Sequence, residues 1–288
     1  MSEICKNWTQ WLKKTRFAGQ TPEMIEQTTK WLEAVRDVVL VYAEIQPHET
    51  VIDIGCGTGL LAFKVLELQE GKGNVIFSDM FQDCLDDCKK FLEEQGIKEG
   101  YEFLKCPAEH IALPMSTVHK ALMRSVLVHI VNKQPVINEI YRILKPAGKF
   151  CAFEPIIRSN TRFWEILDPA HIDKYEDFKR VENEIMDNPM DSLCNFDENT
   201  IKTNLEIAGF SDPDVKLQEV SSGYVVQPNM VHEWFSNPPS PAQPSAKERF
   251  LKYFDYPTVE KYIMQIDEYL VGKHISLKTK AIFINATK

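Results

Sequence analysis

The 288-residue sequence predicts an α/β fold, a doubly wound and mainly parallel sheet of seven strands with helices on both faces. From Gln46 onward, short apolar runs alternate with helical stretches, which is typical of repeated strand–helix units. Five such runs lie at residues 50–54, 74–78, 101–105, 119–123 and 149–153. Two more apolar runs, at 215–220 and 276–286, complete the expected seven strands.

The expected sheet follows a helical cap over residues 1–46 and belongs to a domain that fills residues 47–288. A short amphipathic helix is expected first, because Trp8 and Trp11 fall on one helical face. The segment 21–23, Thr-Pro-Glu, then has the composition of a helix N-terminus: a capping hydroxyl, a proline and an acid in the first turn. A long helix that covers the sheet should begin there.

Helices are also expected between the strands, at about 60–68, 82–95, 133–144 and 197–208. Two stretches, 158–195 and 224–275, break the alternation and are expected to be helical insertions over the functional site. The second contains Asn-Pro-Pro-Ser-Pro at 237–241, which cannot form a regular helix or a central strand.

Composition narrows the class of protein. Apolar residues make up 44% of the chain, yet no window approaches the roughly 18 consecutive apolar residues of a membrane span, and the first ten residues lack signal-peptide features. A cytoplasmic protein without a membrane partner is therefore expected. A net charge of −9 with scattered basic residues predicts no nucleic-acid partner. The seven cysteines form no CxxC pair and are expected to be reduced.

The strongest chemical pattern is an apolar strand that breaks into a glycine-rich turn, VIDIGCGTG at residues 51–59. Glycines allow the backbone to approach a bound ligand closely and to adopt positive φ angles. The spacing GxGxG places the third glycine one position earlier than the dinucleotide fingerprint does. The turn therefore favours a nucleoside-like ligand over a pyrophosphate.

Asp79 ends the next apolar run, a little over 20 residues after the glycine turn. An acid at the end of the second strand can accept hydrogen bonds from both hydroxyls of a ribose. The alternative is that Asp79 only caps the helix expected from about Gln82. With the glycine turn before it, Asp79 predicts a nucleoside site.

Residues 50–154, about a third of the chain, resemble the Rossmann-like class I methyltransferases, which depend on S-adenosylmethionine. VIDIGCGTG resembles the first family motif, SDM the second, CPAEHIALP the adenine loop, and RSVLVHI and EIYRILKPAGKFCAFEP the motifs around the fourth and fifth strands. More narrowly, FSDMFQDCLDDC, RSVLVHI and FEPI resemble a subgroup of small-molecule methyltransferases with unassigned acceptors.

The resemblance implies methyl transfer from S-adenosylmethionine to a small-molecule acceptor. Asp53 and the glycine turn would hold the methionine half, Asp79 the ribose, and Met80 would flank the adenine. The family often has an acid where this chain has Pro107, so Glu109 or backbone carbonyls would take the adenine amino group. The cofactor contacts implied are Asp53, Gly55, Cys56, Gly57, Gly59, Asp79, Met80, Ala108, Glu109, Arg124 and Ser125.

Two side chains are candidates for catalysis, and no metal site is expected. Methyl transfer from a sulfonium depends on alignment and water exclusion, so a base is helpful but not required. For a hydroxyl or protonated-amine acceptor, His129 is the candidate base, unless it merely packs at the edge of the fourth strand. Glu154, at the end of the fifth strand, either binds the acceptor or caps the next segment.

Other readings of the sequence stay open. A noncatalytic protein that binds S-adenosylmethionine would show the same cofactor motifs, and the glycine spacing disfavours a nicotinamide-dependent oxidoreductase. Cys84 and Cys88 share a helix face and, with Cys106, Cys56 or Cys5, suggest a thiolate trap of an arsenite methyltransferase. The sequence carries no indication of the oligomeric state.

Two weaker candidates lie outside the motifs. Trp8, Trp11 and Arg16 either close over the cofactor, with Arg16 reaching a carboxylate, or pack on the fold as an aromatic helix. The aromatic tract between Tyr253 and Tyr269 either lines an apolar acceptor pocket or packs between helices.

Overall fold

The computed structural model describes residues 8–288 and contains one seven-stranded sheet. Its strands are β1 (Thr50–Ile54), β2 (Asn74–Asp79), β3 (Tyr101–Lys105), β4 (Val118–Arg124), β5 (Leu144–Pro155), β6 (Ser211–Val225) and β7 (His274–Thr287). They are ordered β3-β2-β1-β4-β5-β7-β6. The first five strands are parallel, whereas β7 is antiparallel to both of its neighbours. The predicted Rossmann-like, mainly parallel sheet is thus confirmed.

The helices are α1 (Trp8–Lys13), α2 (Pro22–Ala43), α3 (Ala62–Gln69), α4 (Gln82–Glu94), α5 (Gln134–Ile143), α6 (Phe163–Ile166), α7 (Tyr175–Met186), α8 (Glu198–Ala208), α9 (Met230–Ser236), α10 (Ala246–Phe250) and α11 (Tyr256–Leu270). The predicted start of α2 is confirmed, because the Thr21 hydroxyl accepts a hydrogen bond from the Met24 amide. Asp197 caps α8 in the same way. Within the described residues, no helix combines the length and apolar character that a membrane crossing requires.

Helices cover both faces of the sheet, because successive strand residues point to opposite sides. On one face, Ile52 and Ile54 of β1 pack in a core that includes the apolar sides of α5 and α8. On the other face, Val51 packs in a second core with α2, α3 and α4. The sheet is therefore buried on both sides along its parallel strands, and its functional surface lies at the strand ends.

The helices of the two segments expected to be insertions share a third core. Phe178 of α7 packs against the rings of Phe250 in α10 and Tyr262 in α11, with 5.1 Å between the ring centroids in each pair. All three side chains are buried. This core joins residues from both segments into one helical layer beside the sheet.

Strands β6 and β7 are longer than predicted. Their pairing runs from Ser211 opposite Thr287 to Val225 opposite His274, whereas β5 pairs with β7 only as far as Pro155 opposite Ala281. The excess forms a two-stranded arm, which the helical segment α9–α11 links at its far end. The arm is mostly exposed on β6, so it lacks the apolar run from which strands are predicted.

Candidate active site

A cavity of about 890 Å³ lies at the carboxyl ends of β1, β2, β4 and β5. Ligands bind at this edge in open α/β sheets. Side chains of α1 and of the loop 237–243 form the opposite wall. Of the predicted site residues, all line the cavity except Gly59 and Glu154.

The glycine turn after β1 forms the floor of the cavity. Gly55, Gly57 and Gly59 have φ angles of +66°, +54° and +81°, in the left-handed region that favours glycine. A Cβ atom on Gly57 would lie 3.0 Å from Leu12 Cδ1 of α1, so this glycine also allows the cap to pack closely. The turn therefore exposes backbone to the cavity.

Gly59, predicted to contact the cofactor, is not among the residues that line the cavity. A Cβ atom at this position would lie 2.4 Å from Cε2 of the Phe63 ring. Gly59 thus makes room for Phe63 and sets the turn into α3, while the neighbouring Thr58 and Leu60 reach the cavity wall.

Asp79 connects the end of β2 to the glycine turn. Its Oδ2 accepts a hydrogen bond from the Gly57 amide at 3.0 Å, and its Oδ1 accepts one from the Phe81 amide at 2.9 Å. Burial raises the pKa of this carboxyl above its usual value. Each carboxylate oxygen has two lone pairs, so both retain capacity for a ligand hydroxyl.

Asp53 has a comparable position at the end of β1. The side chain is buried, and its Oδ2 accepts a hydrogen bond from the Ala62 amide at the start of α3, at 3.0 Å. Burial raises the pKa of Asp53 to about 7. Asp53 therefore holds the helix start while it faces the cavity.

Two arginines bring positive charge to the cavity, Arg16 beyond α1 and Arg124 at the end of β4. Burial lowers the pKa of both guanidiniums, that of Arg16 to about 10 with Arg124 as the second cause. Glu154 and Asp53 act on the pKa of Arg124 in the opposite direction. Arg16 forms no ion pair within residues 8–288, and its Nε is buried there without a hydrogen-bond partner.

His129 ends a short 3-10 turn, Leu127–His129, on the cavity wall. Its ring meets the Trp8 ring edge-on, 5.3 Å between centroids, and its Nδ1 has no hydrogen-bond partner within residues 8–288. Burial, aided by the charges of Arg124 and Lys133, lowers the pKa of His129 to about 4. The imidazole is consequently neutral near pH 7, and in this state it is a weak base.

Glu154, predicted to be a catalytic residue, is not among the residues that line the cavity. The side chain is fully buried, and its two oxygens accept hydrogen bonds from the amides of Val126, Leu127 and Val128 at 2.8, 3.0 and 3.1 Å. Burial raises the pKa of Glu154 to about 7. The segment that Glu154 caps precedes it in the chain rather than following it: Glu154 positions the turn that carries His129.

The wall at the far end of β2 and β3 contains Met80, Ala108 and Glu109. Met80 is 54% exposed, and Glu109 is exposed as well. Pro107 lies in the same wall. These residues border the rim of the cavity.

The wall opposite the sheet contains residues that sequence reasoning missed. Ser240 is buried, lines the cavity and has no hydrogen-bond partner for its Oγ within the described chain. Leu193, from the other insertion, lines it too. The Trp11 indole donates a hydrogen bond to the Pro238 carbonyl at 3.0 Å, linking α1 to the loop. The proline-rich composition indicated a turn there but not what the turn would face.

Two weaker interpretations are not supported by the structure. The aromatic tract between Tyr253 and Tyr269 does not line the cavity, since Tyr262 lies in the third core and Tyr256 is 57% exposed. In residues 8–288, no three His, Cys, Asp or Glu side chains are placed to hold a metal ion, and Cys5 lies outside the described residues. Burial also raises the pKa of Cys84, which disfavours a thiolate trap.

Comparison with known proteins identifies a matching family and several similar proteins. A family described as "Methyltransferase domain" matches residues 45–209, more than half of the chain. The sterol 24-C-methyltransferase of Pneumocystis carinii is 25% identical over 133 residues, which are 46% of this chain and 34% of that protein. The ubiquinone/menaquinone biosynthesis C-methyltransferase UbiE of Francisella tularensis subsp. novicida is 24% identical over 63% of this chain and 73% of its own length.

Solved structures share the fold. The YcgJ protein of Bacillus subtilis superposes with a TM-score of 0.56 and 17% identity, over 88% of this chain and 98% of that one. The phosphoethanolamine N-methyltransferase 2 of Haemonchus contortus, solved in complex with S-adenosyl-L-methionine, has a TM-score of 0.53 and 14% identity, over 98% of this chain and 60% of that one.

Proposed function

The chain belongs to the methyltransferase-domain family, and on this premise we propose that it transfers the methyl group of S-adenosylmethionine to a small-molecule acceptor. One observation carries the proposal: the glycine turn and Asp79 are hydrogen-bonded to each other on the floor of a large cavity. A volume of about 890 Å³ lies at the upper end of the range for ligand sites, so a second ligand has room beside the cofactor.

The residues present fit S-adenosylmethionine. The exposed backbone of the glycine turn and the buried Asp53 suit the methionine half, and Asp79 retains lone pairs for the ribose hydroxyls. Met80, Ala108 and Glu109 border the space assigned to the adenine. Arg124 and Ser125, at the end of β4, line the cavity and would lie between the cofactor and the acceptor.

When bound, the cofactor supplies a sulfonium, which makes its methyl group electrophilic. The protein contributes alignment and a dry site. The cap helix α1 and the loop 237–243 cover the cavity from the side opposite the sheet and are joined by the Trp11–Pro238 hydrogen bond. His129, neutral and without a partner for its Nδ1 in residues 8–288, is placed to form a hydrogen bond with the acceptor rather than to act as a strong base.

Calorimetric titration tests this proposal. S-adenosylmethionine and S-adenosylhomocysteine should bind with micromolar affinity, whereas reduced nicotinamide cofactor should not bind, because the glycine spacing does not suit a pyrophosphate. If the folded protein binds neither S-adenosylmethionine nor S-adenosylhomocysteine, the proposed function is wrong. Adenosyl binding without methyl transfer to any acceptor in a broad screen would instead favour a noncatalytic binding protein.

A cytoplasmic location and the lack of a nucleic-acid partner stay predictions from composition. The net charge of −9 supports the second of these, because phosphate backbones attract basic surfaces.

A further inference from the structure

The acceptor side of the cavity is apolar, with a few polar atoms that lack partners. Val128, Ile130, Pro155, Ile157 and Leu193 line the space beyond the ends of β4 and β5. Trp8, His129 and Ser240 line the same cavity, and their Nε1, Nδ1 and Oγ atoms are buried without a hydrogen-bond partner in residues 8–288. Buried polar atoms are rarely left unpaired, so these atoms indicate that the ligand of this cavity carries a polar group.

With Arg16 Nε, four unpartnered atoms belong to residues of the cavity wall, and none of them is restricted to accepting a hydrogen bond. Trp8 Nε1 and Arg16 Nε can only donate, whereas Ser240 Oγ and His129 Nδ1 can donate or accept. The two buried carboxylates in the wall already accept hydrogen bonds from the backbone: Asp53 from one amide and Asp79 from two. A ligand that presents acceptor oxygens therefore fits this wall better than one that presents several N–H groups.

The charges in the wall lead to the same conclusion. Arg16, Arg124 and the nearby Lys133 balance Asp53, Asp79 and Glu154, and the remaining carboxylate of the wall, Glu109, is exposed to solvent, so the buried groups are close to neutral before any ligand binds. S-adenosylmethionine, with a sulfonium, an ammonium and a carboxylate, adds one positive charge. An anionic acceptor restores neutrality, whereas a protonated amine would leave two uncompensated positive charges in a low-dielectric site.

We propose that the acceptor is an apolar molecule that reacts as an oxyanion or enolate, with its negative charge facing Arg16 and Ser240. The proposal rests on the proposed function and names the substrate class of that site. The anion forms the new bond to the methyl carbon while the electron pair of the broken carbon–sulfur bond returns to sulfur. One anion and one sulfonium thus become two neutral products, and no strong base is needed during transfer.

The test compares three probes with the same apolar body: 2-naphthoate, 2-naphthylmethanol and 2-naphthylmethylamine, which are anionic, neutral and cationic at pH 7. Each is titrated calorimetrically into protein saturated with S-adenosylhomocysteine. Naphthoate should bind about tenfold or more tightly than the amine, with the alcohol between them. With sinefungin, which carries an ammonium in place of the sulfonium, the preference for naphthoate should increase.

Two variants test whether Arg16 and Ser240 cause the preference for naphthoate. Arg16→Met should reduce naphthoate affinity to about that of the alcohol, and Ser240→Ala should reduce it less. Lys13→Met is the matched control: it removes a cation from α1 whose side chain is 51% exposed and pairs with Asp87, outside the cavity. It should leave the naphthoate preference unchanged.

The outcomes separate the inference from the proposed function. Loss of S-adenosylhomocysteine binding in the wild type contradicts the function itself. If that ligand binds but the amine binds as tightly as naphthoate, or none of the probes binds, the acceptor class is wrong. If Arg16→Met weakens only S-adenosylhomocysteine and keeps the naphthoate preference, Arg16 serves the cofactor carboxylate and the inference is overturned.

Discussion

Buried carboxylates organise the turns around the cavity. Asp53 holds the start of α3, Asp79 holds the glycine turn, and Glu154 holds the turn that precedes His129, each by accepting hydrogen bonds from backbone amides. Burial raises the pKa of all three carboxyls. These hydrogen bonds hold the turns in place before a ligand binds. The carboxylates that form them are buried, where their charged forms are costly.

Asp79 is expected to contribute directly to cofactor affinity. Asp79→Asn keeps the shape of the side chain but removes its charge and one acceptor oxygen, so S-adenosylhomocysteine affinity should fall by about 1–3 kcal/mol. Titration calorimetry measures the change, with the exposed Asp86→Asn on α4 as the control. Equal affinities for the two variants, both folded, would refute the ribose assignment.

Titration of Glu154 should contribute to the pH dependence of the free energy of unfolding. Its pKa of about 7 exceeds the ordinary value of 4.5, so the folded state holds a proton that the unfolded chain loses between these pH values. The free energy of unfolding of the wild type should therefore fall as pH rises through this window, by up to about 1.4 kcal/mol per unit from this group. Glu154→Gln cannot titrate and should lose this contribution.

Denaturant melts from pH 5 to pH 8 provide the measurement. The stability advantage of the wild type over Glu154→Gln should shrink as pH rises, while its difference from the exposed Glu67→Gln should stay constant. An advantage over Glu154→Gln that is independent of pH would contradict the assignment.

The sequence alone was sufficient to predict those site residues whose position depends only on the strand directly before them. The glycines of the turn and Asp79 follow apolar strands directly, so their place at the strand ends needs no tertiary information. Glu154 also follows a strand, but whether it faces the cavity or the backbone of residues 126–128 depends on tertiary packing. Ser240 was not predicted, because a proline-rich loop has no apolar periodicity from which its position against the sheet could be inferred.

At the scale of elements, the cap helix α1 and the loop 237–243 act together as one cover. Trp11→Phe removes the hydrogen bond to Pro238 but keeps an aromatic ring. S-adenosylhomocysteine should bind severalfold more weakly, consistent with a hydrogen bond of about 0.5–1.5 kcal/mol. Trp164→Phe is the matched control, since it removes an indole hydrogen bond to Asn183 outside the cavity. The same affinity for both variants would mean that the cover does not aid binding.

The glycine turn and the cap are expected to be coupled through Gly57. Gly57→Ala and Gly71→Ala both place an alanine at positive φ, +54° and +73°, and each should cost about 1–2 kcal/mol of stability. Only at Gly57 does the added Cβ meet α1, through Leu12, whereas nothing lies within 4 Å at Gly71. S-adenosylhomocysteine affinity, measured beside thermal melts, should fall only in Gly57→Ala. Equal losses would show that strain alone is responsible.

The buried parallel strands were predictable because each is a short apolar run between breaks, and β1 to β4 lie close to their expected positions, whereas β5 begins at Leu144, five residues before the predicted run. The arm of β6 and β7 was underestimated, since Val220 to Val225 pair with only one strand and mostly face solvent. The aromatic tract near Tyr262 was ambiguous in sequence, because a helix face packed in a core and one lining a pocket have the same periodicity.

At the scale of the whole molecule, the cavity lies where the sheet, the cap and the helical layer meet. The sheet provides the floor through β1, β2, β4 and β5, while Leu193 and Ser240 reach it from the two segments that form the third core. A ligand in the cavity therefore contacts parts of the chain that are far apart in sequence. Binding should stabilise these parts together.

Hydrogen–deuterium exchange with and without S-adenosylhomocysteine tests the central claim most directly, because it locates the ligand along the chain. The account predicts slower exchange at residues 55–60 and 79–82, and also across α1 and the loop 237–243. A smaller cavity of about 190 Å³, lined by Phe163, Tyr224 and Trp234, offers an internal comparison. Protection confined to that region, or none at the glycine turn, would contradict the assignment of the cofactor site.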